Sequence, residues 1–360
     1  MVEFLFINAI INTLIVPLLS LIFKPYVFVP LIYPGLLVII VVLLFIIWLE
    51  RKIAGKVQLR YGPLYVCKRL GGVIQLIADL LRYLFAEVII PKETDKFMFI
   101  TSPILLFAFA IFPVFTLPVG PNYTAVNSEL SMLIALSLLT IPPMFVLTLS
   151  WASNNKWSFI GGLREGYLMI SYEISLFLSA LSMAVLYNSL SFTEIVNRQG
   201  EFWGIVLNPF AAIVFFLAIL FSTSKFPYEI AEAETEVVCG PYTEYSGIIY
   251  GLSMGYAYVK TYVLSLIFAL LFLGGWYPVI WKTNIPPIMF GYSIVSDILL
   301  PGLMVFIKGL IVIIISIFLR SVYPRYRIDQ AIRIGWHTIF TLSIISLILS
   351  ILIVMVWGVI

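Results

Sequence analysis

The stretch Lys225–Gly247, KFPYEIAEAETEVVCGPYTEYSG, places Glu229, Glu232, Glu234, Glu236 and Glu244 within sixteen residues. Long apolar runs flank it on both sides, at about 204–224 and 247–273. The chain as a whole is 62% hydrophobic and only 11% charged, so this density of carboxylates is not an accident of composition. Pro227 suits the first turn of a helix. From there Glu229, Glu232 and Glu236 follow the i, i+3, i+7 spacing that would align them on one helical face, with Glu234 pointing elsewhere. Carboxylates crowded in this way repel one another, so some are expected to hold protons near neutral pH and to titrate as coupled units. The alternative is a solvated acidic loop between two membrane helices.

Working outward, apolar runs close to the roughly 20 residues of a bilayer span recur through most of the 360 residues. Lipid cannot satisfy backbone polar groups, so these runs must be helices, and the lack of period-two alternation argues against a barrel. The expected fold is all-α: one integral membrane domain over 1–360, a polytopic transmembrane helix bundle with eight spans. They fall at about 31–49, 97–117, 128–149, 166–187, 204–224, 247–273, 302–320 and 338–358. Residues 4–23 form a further apolar run that could span or lie along the interface. GGVIQLIADLLRYLFAEVIIP (71–91) is too apolar for a soluble loop, yet is interrupted by Asp79, Arg82 and Glu87. That pattern predicts an amphipathic helix at the membrane surface. Glu3 stands where a signal peptide would be basic, and no small-residue cleavage site follows Phe23, so a cleaved signal is not expected.

Basic residues sort by side. The 51–96 loop holds nine of the 21 Lys and Arg. Alternating from there, the loops on that face collect sixteen, and the opposite face receives only Lys24, Arg198 and Lys282. This bias predicts that the loop-rich face is cytoplasmic. Glu173 and Lys260 fall inside spans and Glu165 at the mouth of one. Ionisable groups there are costly and usually line a protein interior or a watery path. An internal ion pair is the plainer alternative. Lys308 also lies in a span, where it could snorkel to an interface. Two lone cysteines, Cys67 and Cys239, and a single histidine, His337, cannot supply an iron–sulfur cluster or a typical haem site. No cofactor or metal is therefore expected on this chain.

Several stretches occur in an order that resembles one family. They are LERKIAGKVQLRYGP (49–63), GGVIQLIADLLRYLFAE (71–87), SWASNNKWSFIGGLR (150–164), MISYEISL (169–176), the acidic segment (225–247), LFLGGW (271–276) and YPRYRIDQAIRIGW (323–336). Together they resemble the membrane-embedded H subunit of bacterial NADH-quinone oxidoreductase, which corresponds to subunit 1 of mitochondrial complex I, with relatives in energy-converting hydrogenases. The resemblance implies a protein at the junction of a soluble electron-transfer arm and an ion-pumping membrane arm. Its partners would be soluble subunits carrying the iron–sulfur clusters, antiporter-like membrane subunits and the lipid bilayer; nucleic acid is not an expected partner. By motif, an ion path would use Asp79, Glu173, Glu229, Glu232, Glu234, Glu236 and Glu244, with Glu165 and Lys260 as modifiers. Glu50, Arg51, Arg60, Arg325, Arg327 and Asp329 would lie near the soluble arm. The basic members could instead be helix anchors, and Asp329 could simply fold its loop by a salt bridge. The chain also departs from quinone-reducing members. Ser222 and Ala257-Tyr258 stand where a glutamate and Glu-Tyr are common, Glu165 replaces a small residue, and Lys260 adds a positive charge. CGPYTEYSG and the lysine in the next helix look more like the hydrogenase-related branch, with ferredoxin as donor. A stand-alone cation/proton transporter and a passive anchor are the competing functions.

Overall fold

The computed structural model describes residues 22–278 and 294–358. The 4–23 run lies almost wholly outside the described residues, and Lys282 lies outside them. Chain order runs α1 (Pro25–Leu31), α2 (Leu36–Val57), α3 (Ile74–Phe85), α4 (Lys96–Ile111), α5 (Ser131–Thr140), α6 (Pro142–Ala152) and α7 (Lys156–Tyr187). It continues through α8 (Pro209–Ser222), α9 (Gly247–Phe272), α10 (Leu300–Val322) and α11 (Phe340–Trp357), with short helical turns between. Among the described residues seven segments are long and apolar enough to cross a membrane: Pro25–Val57, Lys96–Thr116, Ser131–Ala152, Lys156–Tyr187, Gly247–Phe272, Asp297–Val322 and Ile328–Val356. The protein is an all-α polytopic membrane bundle, with the amphipathic helix formed over α3.

The expected span at 204–224 is realised differently. Asn208 breaks it, and α8 has only 14 residues, about 21 Å of helix against roughly 30 Å of hydrocarbon. Asn208 Oδ1 accepts from the Ala211 N–H at 3.1 Å, while Nδ2 donates to Ser346 O and Ser350 Oγ, both at 2.8 Å. A short helix is tolerated because α8 is inside the bundle, packed on α7, α9 and α11. The centre is α9, whose apolar window is 89% buried by protein. The α7–α11 contact is close because buried serines face it, among them Ser171, Ser175 and Ser179 on α7 and Ser343 and Ser346 on α11.

Two buried polar groups lock the far end of the bundle. Gln199 donates to Leu270 O at 2.8 Å and accepts from the Gly274 N–H at 2.9 Å. Lys308 neither snorkels nor pairs with an acid: its ammonium donates to the Leu273 and Gly275 carbonyls at 2.5 and 2.8 Å and to the Tyr277 carbonyl. A cation capping the carbonyls at the end of α9 also suits the helix dipole.

The one-face helix anticipated for Glu229, Glu232 and Glu236 is not what forms. Residues 225–233 are turns and extended backbone, and only Glu234–Val237 is helical. The reason is tertiary: each carboxylate meets different surroundings, and a helix would align them against one another. At Gly240 (φ +53°) the chain folds back so closely that a Cβ would meet the Ala231 carbonyl oxygen at 2.0 Å. Loops 58–95, 153–155, 223–246 and 323–327 gather on one face. Bonds from Ile89 N to Ser246 Oγ (2.9 Å), Asn154 Nδ2 to Glu93 O (3.2 Å) and Tyr326 N to Pro227 O (3.0 Å) join them.

Asn208→Ala removes an N-cap and two interhelical bonds. It is expected to cost at least about 1–2 kcal/mol and to lower the thermal midpoint of the detergent-solubilised protein.

Candidate functional site

Beneath the gathered loops, Arg320 on α10 forms a salt bridge with Glu50 on α2, and its other guanidinium nitrogen lies 3.9 Å from Glu229. The Tyr258 hydroxyl of α9 lies 3.5 Å from the same Glu50 oxygen. Arg325 stacks over the Phe226 ring at 5.1 Å. This group borders a polar cavity of about 240 Å³ lined by Ser224, Lys225, Glu229, Glu232, Cys239 and Tyr258, among others. Burial pushes the Glu232 carboxyl up to about 8; Glu229 and Glu165 act in the same sense, and Arg320 and Arg325 oppose them. Burial likewise raises Glu229, against the pull of Arg320 and Arg325.

Deeper in the bundle lies a second group. Glu165 on α7 is 1% exposed, and its Oε2 accepts from Ser224 Oγ at 2.8 Å. That bond joins the cavity wall to α7. About two turns further along α7 are Tyr172 and Glu173. Lys260 on α9, also 1% exposed, reaches the Tyr172 hydroxyl at 3.4 Å, and the charges that attract it are Glu173 and Glu165. Glu165 Oε1 and Glu173 Oε1 are buried without a hydrogen-bond partner among the described residues. Buried ionisable atoms without a hydrogen bond are costly in the charged form, so the charge state of this group responds to charges nearby.

The remaining anticipated residues are dispersed. Asp79 on α3 pairs with Arg51 at 2.6 Å, beside an apolar cavity between α2, α3 and α9. Glu236 is exposed and pairs with Arg164 at 2.5 Å. Glu244 accepts from Asn155 Nδ2 at 2.6 Å, and exposed Glu234 lines the mouth of the polar cavity. Arg60 is exposed and bonds Gln58. Arg327 and Asp329 form an exposed pair at 3.4 Å, the loop-folding bridge of the plainer reading. Glu50 pairs with Arg320 inside the chain. Among the groups to which the sequence reading gave no role are Arg320, Ser224, Tyr258 and Lys225. Ser224 and Tyr258 are ordinary residues whose role appears only through partners 59 and 208 positions away.

These features define a polytopic helical membrane protein with a chain of buried charge running inward from one loop-rich face. Residues 31–351 match the family model described as NADH dehydrogenase. The H subunit of NADH-quinone oxidoreductase from Geobacillus sp. (strain WCH70) is 36% identical over 323 residues, covering 89% of this chain and 92% of that protein. Its counterpart in Geobacillus thermodenitrificans (strain NG80-2) is 33% identical over 320 residues, covering 88% and 92%. The chain belongs to the NADH dehydrogenase family of membrane subunits, the one that includes complex I subunit 1 and its bacterial equivalents.

Two outcomes are expected. Arg320→Met leaves Glu50 and Glu229 without their cation and should cost about 3–5 kcal/mol; adding Glu50→Gln should recover much of that loss in the thermal midpoint. Glu232 has its pKa raised from an ordinary 4.5 to about 8, so folding favours its neutral form. Its contribution is fully present below about pH 4.5 and is lost as pH rises through about 8. Glu232→Gln should therefore flatten the fall in thermal midpoint between those two values.

Proposed function

We propose that this chain is the membrane subunit of a redox-driven ion pump, anchoring a soluble electron-transfer arm and coupling acceptor reduction to movement of H⁺ or Na⁺. The reading rests on the incompletely bonded Glu165–Glu173–Lys260 group, connected through Ser224 to the acidic cavity under the loop face. Reduction of an acceptor near the cavity adds negative charge, which raises the proton affinity of Glu229 and Glu232. The rearranged charge then acts on Glu165, Lys260 and Glu173, and through Glu173 on antiporter-like neighbours. No population can shift by more than the free-energy difference the redox step imposes on the two states. Iron–sulfur clusters belong to the partners in this reading. The positive-charge bias supports a cytoplasmic loop face in the cell membrane.

For the acceptor, a lipid-soluble quinone is favoured. Both relatives carry quinone oxidoreductase in their names. A mostly apolar cavity of about 290 Å³ also adjoins the polar one through Tyr250, Met254 and Tyr258. The substitutions at Ser222, Ala257, Glu165 and Lys260 speak for the hydrogenase-related branch, which would put nickel ligands on a partner.

The test uses the whole complex in proteoliposomes. Glu173→Gln is expected to lower ions moved per electron by about 10-fold or more, with assembly intact. Glu236→Gln should stay near wild type, because an exposed pair is worth only about 0–1 kcal/mol. Unchanged pumping and electron transfer in Glu173→Gln would establish a passive anchor, and a chain that purifies without iron–sulfur partners would be a transporter.

A further inference from the structure

Lys225 takes no part in the pairings above. Its side chain is 2% exposed, and its Nζ has no hydrogen-bond partner among the described residues. Three other cations of the interior are held: Arg320 by Glu50, Lys308 by three carbonyls and Lys260 by the Tyr172 hydroxyl. The Lys225 ammonium sits 4.7 Å from the Tyr258 ring centroid, an attraction that occupies none of its three N–H donors in a hydrogen bond to oxygen. It lines the 240 Å³ cavity, a volume with room for several water molecules at about 30 Å³ each.

The charged and titratable groups around it come from four elements. Glu50 acts from α2 and Arg320 from α10, while Tyr250 and Tyr258 face the cavity from α9. Glu229, Glu232, Glu234 and Cys239 come from the acidic segment itself. Glu234 and Cys239 are exposed as well as lining the cavity, so its mouth is at the loop face. Lys225 thus shares one cavity, large enough for water, with Glu229 and Glu232 of the acidic segment.

We infer that Lys225 is a proton-carrying residue of this cavity, passing a proton through cavity water to Glu232 and recovering one from the loop face. In the step an Nζ–H bond breaks, the ammonium becomes an amine, and the Glu232 carboxylate gains the proton and becomes the neutral acid. The amine then takes a proton from a water at the cavity mouth, and the hydroxide left behind passes to the bulk solvent. The pair carries no net charge before or after the transfer, so the transfer leaves no uncompensated charge on it. Burial lowers the lysine to about 8, with Arg320 in the same sense and Glu50 opposing, and Glu232 is raised to about 8. Burial thus moves the pKa values of donor and acceptor toward one another, which eases transfer between them. Arginine in the same place would supply charge but no exchangeable proton, because a guanidinium stays protonated in proteins.

The inference rests on the coupling function proposed above, and the variants separate the two. In the purified whole complex, Lys225→Arg is expected to assemble and to transfer electrons about 10-fold or more slowly. Lys225→Gly should be similarly slow and should regain turnover with added methylamine, which carries a proton, but not with tetramethylammonium, which carries only charge. Wild-type turnover in Lys225→Arg would overturn the inference. So would equal rescue by both cations, no methylamine rescue of an assembled Lys225→Gly complex, or loss of assembly in both variants, which would make the lysine a structural charge. If Glu173→Gln abolishes pumping while Lys225→Arg is silent, only the role of Lys225 fails; if Glu173→Gln is silent, the coupling function fails first.

Discussion

Arg320 is the fixed point of the loop face. From α10 it reaches Glu50 on α2 and Glu229 in the acidic segment, with the Tyr258 hydroxyl of α9 beside Glu50. Two carboxylates and a guanidinium that are mostly removed from water must compensate one another, because an unpaired charge there would cost several kcal/mol. That requirement ties three elements to one side chain and dictates the path of the segment between α8 and α9. The chain cannot continue as a helix there and still bring Glu229 to Arg320, Ser224 to Glu165 and Gly240 against Ala231. It folds as turns instead, and the polar cavity is the space those turns enclose.

Polar groups in the bundle interior fall into two kinds. Asn208, Gln199 and Lys308 are well bonded: each makes two or more bonds to backbone or to a serine, and each fixes how helices meet. Glu165, Glu173, Glu229 and Lys225 are four of those that carry a buried atom without a hydrogen-bond partner among the described residues. In a low-dielectric interior such atoms are costly, and a protein tolerates them where a change of protonation is useful. They are gathered along the acidic segment and the facing side of α7, and Lys260 on α9 supplies the positive charge opposite. These four atoms therefore trace the same line that the charges do.

The apolar runs of the sequence predict helices because lipid admits little else, and seven of the eight spans appear at full length. The eighth, α8, is short for a reason no hydropathy window contains: it is surrounded by α7, α9 and α11, and Asn208 bonds to serines about 140 residues away. The acid-rich segment was legible as unusual, and its family likeness agrees with the family model and with both Geobacillus relatives. Its geometry was not legible. Spacing of i, i+3, i+7 describes a helix only where nothing outside the segment competes, and here Arg164, Arg320 and Asn155 take Glu236, Glu229 and Glu244 in three directions.

What the sequence determined by itself is the solvent of this protein: a bilayer, all-helical spans and a loop face crowded with charge. These follow from composition and local order, since the cost of an unpaired backbone group in lipid depends little on what lies nearby. Which carboxylates share a cation, which are left incompletely bonded, and where Lys225 points were decided only by tertiary structure. Those properties depend on distances between residues far apart in the chain. Electrostatic energy in a dry interior changes steeply over a few ångströms.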